Sequence, residues 1–175
     1  MYINNFPMSN KKQTQMKIVT VEKPLIQRKI NDDVIQKNQN YDHEETMNIL
    51  KNYYIPDQEK KYTNSLVSTL NKKINSYKQQ DINKEKYDAT SFITIDDIVD
   101  KLISSNLECY YCREKTIVFY THARQPNQWT LERIDNHIGH SCSNTVIACL
   151  SCNLQRRNKN SNHFKFAKQL VIKKI

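Results

Sequence analysis

A single glycine occurs in the 175 residues, with four prolines and one tryptophan. Glycine enters left-handed backbone without steric cost, so its scarcity shifts the tight turns of a folded chain onto asparagine, which is abundant. Long apolar runs are missing as well. None approaches the roughly 20 residues that a membrane-crossing helix needs, and no secretory signal opens the chain. No membrane partner is therefore expected, and an intracellular setting is. Cysteine is sparse, at five residues, and four of these fall in two C-x-x-C pairs. That pattern suits a reducing compartment and metal binding better than a disulfide framework. The odd one, Cys142, is expected to take no part in metal binding.

Acidic residues are few in one part of the chain only. The totals are 27 basic and 18 acidic side chains, a net charge of +9. Residues 1–100 carry 15 and 14, a net of +1, whereas residues 101–175 carry 12 and 4, a net of +8. Nearly all the positive field sits on the cysteine-bearing part, as in a module that meets a polyanion. A solubilising surface is the plainer reading of the same charges.

What is present centres on residues 109–158. Cys109-Tyr-Tyr-Cys112 opens this stretch and Cys149-Leu-Ser-Cys152 closes it. Each pair spans one tight turn, so four thiolates come within reach of one tetrahedral ion. Soft sulfur ligands in that geometry favour Zn²⁺ in a structural role.

Three regions are expected. Residues 1–55 are Asn- and Lys-rich; residues 1–40 lack a sustained period and read as disordered or loosely tethered, with a short helix over 43–54 stopped by Pro56. Residues 56–106 read as amphipathic helices packing on the zinc module. The first runs over about 57–80 with an apolar stripe at Tyr62, Leu66, Leu70, Ile74 and Tyr77 and Val67 alongside, while Lys60, Lys61, Lys72, Lys73 and Lys78 mostly point elsewhere. The second begins behind a Thr94 cap, with Asp97 at its third position and Ile95, Ile98, Val99, Leu102 and Ile103 on one face; Asn106 is its left-handed stop. Residues 107–175 read as the zinc-binding domain. There, 116–121 and 129–135 are expected to form an antiparallel hairpin, followed by a polar loop over 136–145, a helix over 150–157 and a last helix behind Ser161 burying Phe164, Ala167, Leu170 and Val171. The fold class is α+β, a treble-clef or ββα-metal zinc module preceded by amphipathic helices. Trp129, Tyr110 and Tyr111 are expected to pack this small core rather than stack on bases.

Leu131-Glu-Arg-Ile-Asp-Asn136, Gly139-His140, Asn144 and Cys149-x-x-Cys152-Asn153-x-x-Arg156 together resemble HNH endonucleases of the His-Me finger group. The likeness is to the variant whose first motif reads Asp-Arg-Ile-Asp-Asn, and extends to HNH-like proteins of large DNA viruses. It covers residues 109–158 well and says nothing of residues 1–55. The resemblance implies a metal-dependent endonuclease hydrolysing phosphodiester bonds, with DNA as the partner and RNA as a second candidate, acting in an infected host cell or a virion. It places Glu132 as the acid and Asn153 as the helix ligand of a catalytic Mg²⁺ or Mn²⁺, and Asn144 as the residue that holds the loop. Hard oxygen donors suit such ions.

Two departures from the family pattern matter. The acid is Glu rather than Asp, and the family's general-base position is Arg133, which stays protonated at neutral pH. His140 is the first substitute base and His137 the second, since imidazole titrates in the useful range. Asp135 is either a further catalytic ligand or a loop-fixing residue. Arg133 can clamp a phosphate and is expected to point away from Glu132 by strand alternation, unless a bulge turns it in as the family's His would be. Arg156, Arg157 and Lys159 read as further nucleic-acid contacts. The competing reading is a catalytically inactive, zinc-stapled nucleic-acid-binding module, or a virion or interaction protein built on the same scaffold.

Overall fold

The computed structural model describes residues 41–55 and 60–171. The expectation for residues 1–40, and the Pro56 stop, fall outside the described residues. Five helices and one two-stranded sheet make up the described part, in the order α1 (His43–Asn52), α2 (Lys60–Asn83), α3 (Ile95–Ser104), β1 (Trp129–Arg133), β2 (Thr145–Cys149), α4 (Leu150–Arg156) and α5 (Ser161–Gln169). The chain is α+β, and no described helix is long and apolar enough to cross a membrane.

The helix starts follow from local chemistry. Asp42 accepts from the Glu45 amide at 2.8 Å while Glu45 returns a carboxylate to the Asp42 amide at 3.0 Å, a reciprocal capping box. Thr94 and Asp97 make the same exchange at the start of α3, as the sequence predicts. The apolar face of α3 buries Ile98, Val99 and Leu102 completely. Helix α1 packs on α2 and α3 and brings the fully buried Leu50 into the main core. Burial of such a side chain contributes roughly 1.5–3 kcal/mol, enough to hold a ten-residue helix in place that would be marginal alone.

The strand pairing departs from expectation. Strand β1 pairs antiparallel with β2, with Leu131 opposite Ile147 and Glu132 opposite Val146. The stretch 116–121 forms no strand; Ile117 makes one isolated parallel bridge to Gln128. Both 116–121 and 145–149 are β-favouring, and propensity does not choose between partners. The choice is made by the loop between β1 and β2, which is tied shut by side chains described below. The sheet thus runs directly into α4.

Helix α2 lies along the outer edge of β1. Lys73, Tyr77 and Asp81 recur every four residues and so share one face. Lys73 donates to the Trp129 carbonyl and sits 4.5 Å from the Trp129 ring centroid, contrary to the outward position expected of it. Burial pushes its ammonium pKa down to about 7. The Tyr77 hydroxyl accepts from the Leu131 amide at 3.0 Å.

Among the described residues, positive φ angles fall at Glu85, Asn106, Leu107, Arg113, Arg124 and Arg157. Asn106 is the helix stop the sequence predicts, but the other five left-handed positions are not asparagines. Helix α5 is capped by Asn160, which accepts from the amides of Asn162 and His163. It buries Phe164, whereas Ala167, Leu170 and Val171 are exposed, so the buried stripe expected there is one residue wide.

Candidate metal centre and adjoining cavity

The four paired cysteines converge. The Sγ atoms of Cys109, Cys112, Cys149 and Cys152 all lie within 4.8 Å of one another. A tetrahedral zinc–thiolate site with bonds of about 2.3 Å has sulfurs roughly 3.8 Å apart, and the Cys112 and Cys149 sulfurs are separated by 3.9 Å. The backbone sets this up from both sides. Tyr110 donates its amide to the Ile147 carbonyl at 2.8 Å, docking the first pair beside β2. Cys149 caps α4, accepting from the Cys152 amide. The Cys149 thiol hydrogen bond holds Cys109 down to about 4, while the neighbouring Cys109 sulfur pushes Cys149 far above its ordinary value. Crowded sulfurs that cannot all ionise are what a divalent cation relieves. The cluster can hold a metal ion such as zinc. Cys142 lies apart from it and is exposed.

The second feature is a polar cavity of about 380 Å³ next to this cluster in sequence. Its lining includes Glu132 and Arg133 from β1, His140 from the loop, Asn153 from α4, and Tyr77 and Lys84 from α2 and the turn after it. Glu132, Arg133, His140 and Asn153 are therefore brought together. Arg133 does not point away from Glu132: still paired with Thr145 at the end of β1, it lines the same cavity, with Nη1 3.6 Å from Asp81 Oδ1. Arg157 also lines the cavity, whereas Lys159 lines a separate pocket beside α5.

Glu132 is 6 % exposed. Burial raises its carboxyl pKa, and the Arg156 guanidinium opposes that rise. Arg156 is itself 3 % exposed. One of its nitrogens donates to Glu132 Oε1 and to the Arg133 carbonyl, the latter at 2.8 Å, and the other to the Ile134 carbonyl at 2.7 Å. The expected phosphate contact is thus a buried staple that clamps the end of β1 and orients the acid.

Asn153 donates its amide to Thr130 Oγ1 at 3.2 Å, which leaves Oδ1 on the acceptor side. Among the described residues neither Asn153 Oδ1 nor Glu132 Oε2 accepts a hydrogen bond. Asn144 ties the loop, accepting from the Asp135 amide at 2.9 Å and donating to the carbonyls of Asp135 and Gly139 at 2.9 and 3.0 Å. Asp135 does not reach the cavity; its carboxylate accepts from the His137 amide at 2.8 Å and so fixes the turn, while the exposed His137 lies outside the cavity lining.

His140 is 4 % exposed, and its surroundings include a residue that sequence reasoning missed. Asp81, at the end of α2 and fully buried, accepts from the His140 backbone amide at 2.6 Å and pairs with its Nδ1 at 2.8 Å. Tyr77 packs on the imidazole with centroids 4.7 Å apart. Burial lowers the His140 pKa, against the raising effect of Asp81. A signal was available: Asp81 is the next position, four residues on, of the apolar stripe that ends at Tyr77. The sole glycine permits the approach. A Cβ at Gly139 would lie 2.3 Å from the Lys86 carbonyl oxygen and 2.9 Å from Asp81 Oδ2.

Together these features define an α+β protein with a four-cysteine metal-type cluster beside a buried acid–imidazole cavity. No protein-family model, curated protein or solved structure matches the chain.

Proposed function

We propose that the chain is an HNH-like metal-dependent endonuclease acting on DNA, with RNA as the second candidate substrate. The observation that carries this reading is the meeting of Glu132, His140, Asn153 and Arg133 in one cavity beside the cysteine cluster. The β1–β2–α4 order, with a cysteine pair at the start of α4, supports a ββα-metal module stapled by Zn²⁺.

Glu132 Oε2 and Asn153 Oδ1 form a sparse hard-oxygen set that fits a Mg²⁺ or Mn²⁺ ion completed by water and phosphate. Such an ion, when bound, supplies charge neutralisation at the scissile phosphate. The chain's own residues do the rest. Arg156 fixes the rotamer of Glu132, and Thr130 fixes the amide of Asn153. Arg133, Lys84, Lys86 and Arg157 line the cavity with positive charge that attracts and orients a phosphodiester. His140 accepts the proton of the attacking water. Asn144 keeps the loop closed so that His140 stays in register with Glu132.

One observation favours the binding-module reading: a guanidinium already occupies one oxygen of the acid. The test is incubation of zinc-loaded protein with supercoiled plasmid, with and without Mg²⁺ or Mn²⁺. Nicking that disappears in Glu132→Ala and Asn153→Ala, with zinc content unchanged, is the expected result. Plasmid that is bound but intact with both ions decides for the binding module.

A further inference from the structure

We infer that Asp81, on α2 and outside the cysteine-bearing stretch, is a positioning residue that fixes the tautomer of His140 so that Nε2 carries the lone pair facing the cavity. This deepens the nuclease reading and rests on it. The grip is two-pointed, with one carboxylate oxygen on the His140 amide at 2.6 Å and the other on Nδ1 at 2.8 Å. A carboxylate accepts hydrogen bonds only, so Nδ1 must carry the proton and Nε2 is left as the acceptor. Among the described residues Nε2 makes no hydrogen bond. Nor is it among the buried polar atoms left without a partner, and His140 lines the cavity.

A simple latch between helix and loop is served by the backbone contact alone. The second contact acts on a titratable ring, and Tyr77 packs on its face to hold the plane. Base, orienting acid and open nitrogen are the parts that general-base activation of a nucleophile requires. In the step, water gives its proton to Nε2 while its oxygen bonds to phosphorus. The bond from phosphorus to the leaving sugar oxygen then breaks with its electron pair, and that oxygen takes a proton from solvent. Among the described residues, the charged and titratable groups around the ring and its cavity are Asp81 and Tyr77 from α2, Lys84 and Lys86 from the segment after it, Arg133 and Glu132 from β1, and Arg157 after α4.

The experiment uses the full, zinc-loaded chain and supercoiled plasmid with Mn²⁺ or Mg²⁺. Asp81→Asn is expected to lower kcat on the order of 10²-fold, within the usual range for acid–base catalysis, with KM unchanged. The midpoint of the rising pH limb should move to lower pH, because the carboxylate that opposes burial is gone. His140→Ala should be inactive and partly rescued by added imidazole. Long-range ¹H–¹⁵N spectra of the wild type should show a protonated Nδ1 and an unprotonated Nε2. An Asp81→Asn protein that melts earlier but keeps the wild-type rate and pH midpoint makes Asp81 a latch and overturns the inference alone. If that variant does not fold, a proton found on Nε2 of the neutral wild-type ring, or failure of imidazole to rescue His140→Ala, overturns it equally. A wild type that binds plasmid and cuts it with neither ion removes the nuclease reading and this inference with it.

Discussion

The cysteine cluster and the Glu132 cavity share helix α4 but are assembled in opposite ways. The cluster takes four identical ligands from two short segments, each held by its own turn. The cavity takes different side chains from α2, the turn after it, β1, the loop and α4. A site made of repeated local units survives small shifts elsewhere, because its geometry is set within a few residues. A site made of long-range contacts depends on every element that delivers a residue. The cavity therefore rests on the cluster, which fixes α4, while the cluster does not rest on the cavity.

Breaking the cluster gives the largest expected effect. Cys149→Ser, or chelation, should remove bound metal, and the linked loss is on the order of 10 kcal/mol for structural zinc sites. Metal content and melting followed together check this; metal-free protein with unchanged melting would reverse the dependence proposed here. Arg156→Met comes next. It leaves Glu132 buried without its cation, and breaking a buried pair costs about 3–5 kcal/mol. Denaturant unfolding should register that loss while zinc stays bound, separating the two sites.

Gly139→Ala should cost about 1–3 kcal/mol through overpacking against Lys86 and Asp81, again with zinc retained. Loss of the Asp81–His140 contacts would show as altered ring signals of His140. The smallest effect concerns pH. The folded-state pKa of His140 lies below its unfolded value, so the unfolded chain binds the extra proton first. The stability it contributes is present above about pH 6.5 and is lost as pH falls from there through the folded value. Wild type should lose more stability between pH 7 and 5 than His140→Gln does; parallel curves would show that His140 is not the group involved.

Local signals in the sequence were legible where the physics is local. The spacing of the cysteine pairs, the Thr94–Asp97 cap, the face of α3 and the bounds of α4 all depend on neighbours within one turn. The meeting of Glu132, His140 and Asn153 came from motif likeness, since nothing local joins a strand, a loop and a helix. The partner of β1 was illegible because 116–121 and 145–149 have equal claims as strands. Asp81 continues the apolar stripe of α2, but that signal is weak, because a carboxylate there reads as solvated unless its partner, 59 residues on, is known. Arg156 misled for a similar reason: an arginine near a basic stretch reads as a ligand contact, and only the Glu132 carboxylate with the carbonyls of Arg133 and Ile134 explains its burial.

Helix α2 has a consequence for how copies of this chain meet one another. A two-stranded sheet has two free margins, each a row of backbone groups able to recruit a strand from another molecule. Along β1, Lys73 occupies the Trp129 carbonyl and Tyr77 the Leu131 amide. Along β2, Lys101 occupies the Thr145 carbonyl and the Tyr110 amide takes that of Ile147. Each margin is thus partly covered by the chain itself, so strand addition from another molecule requires α2 on one side, or α3 and the first cysteine turn on the other, to give way. Conditions that loosen either, acid or chelator, are those under which aggregation should begin.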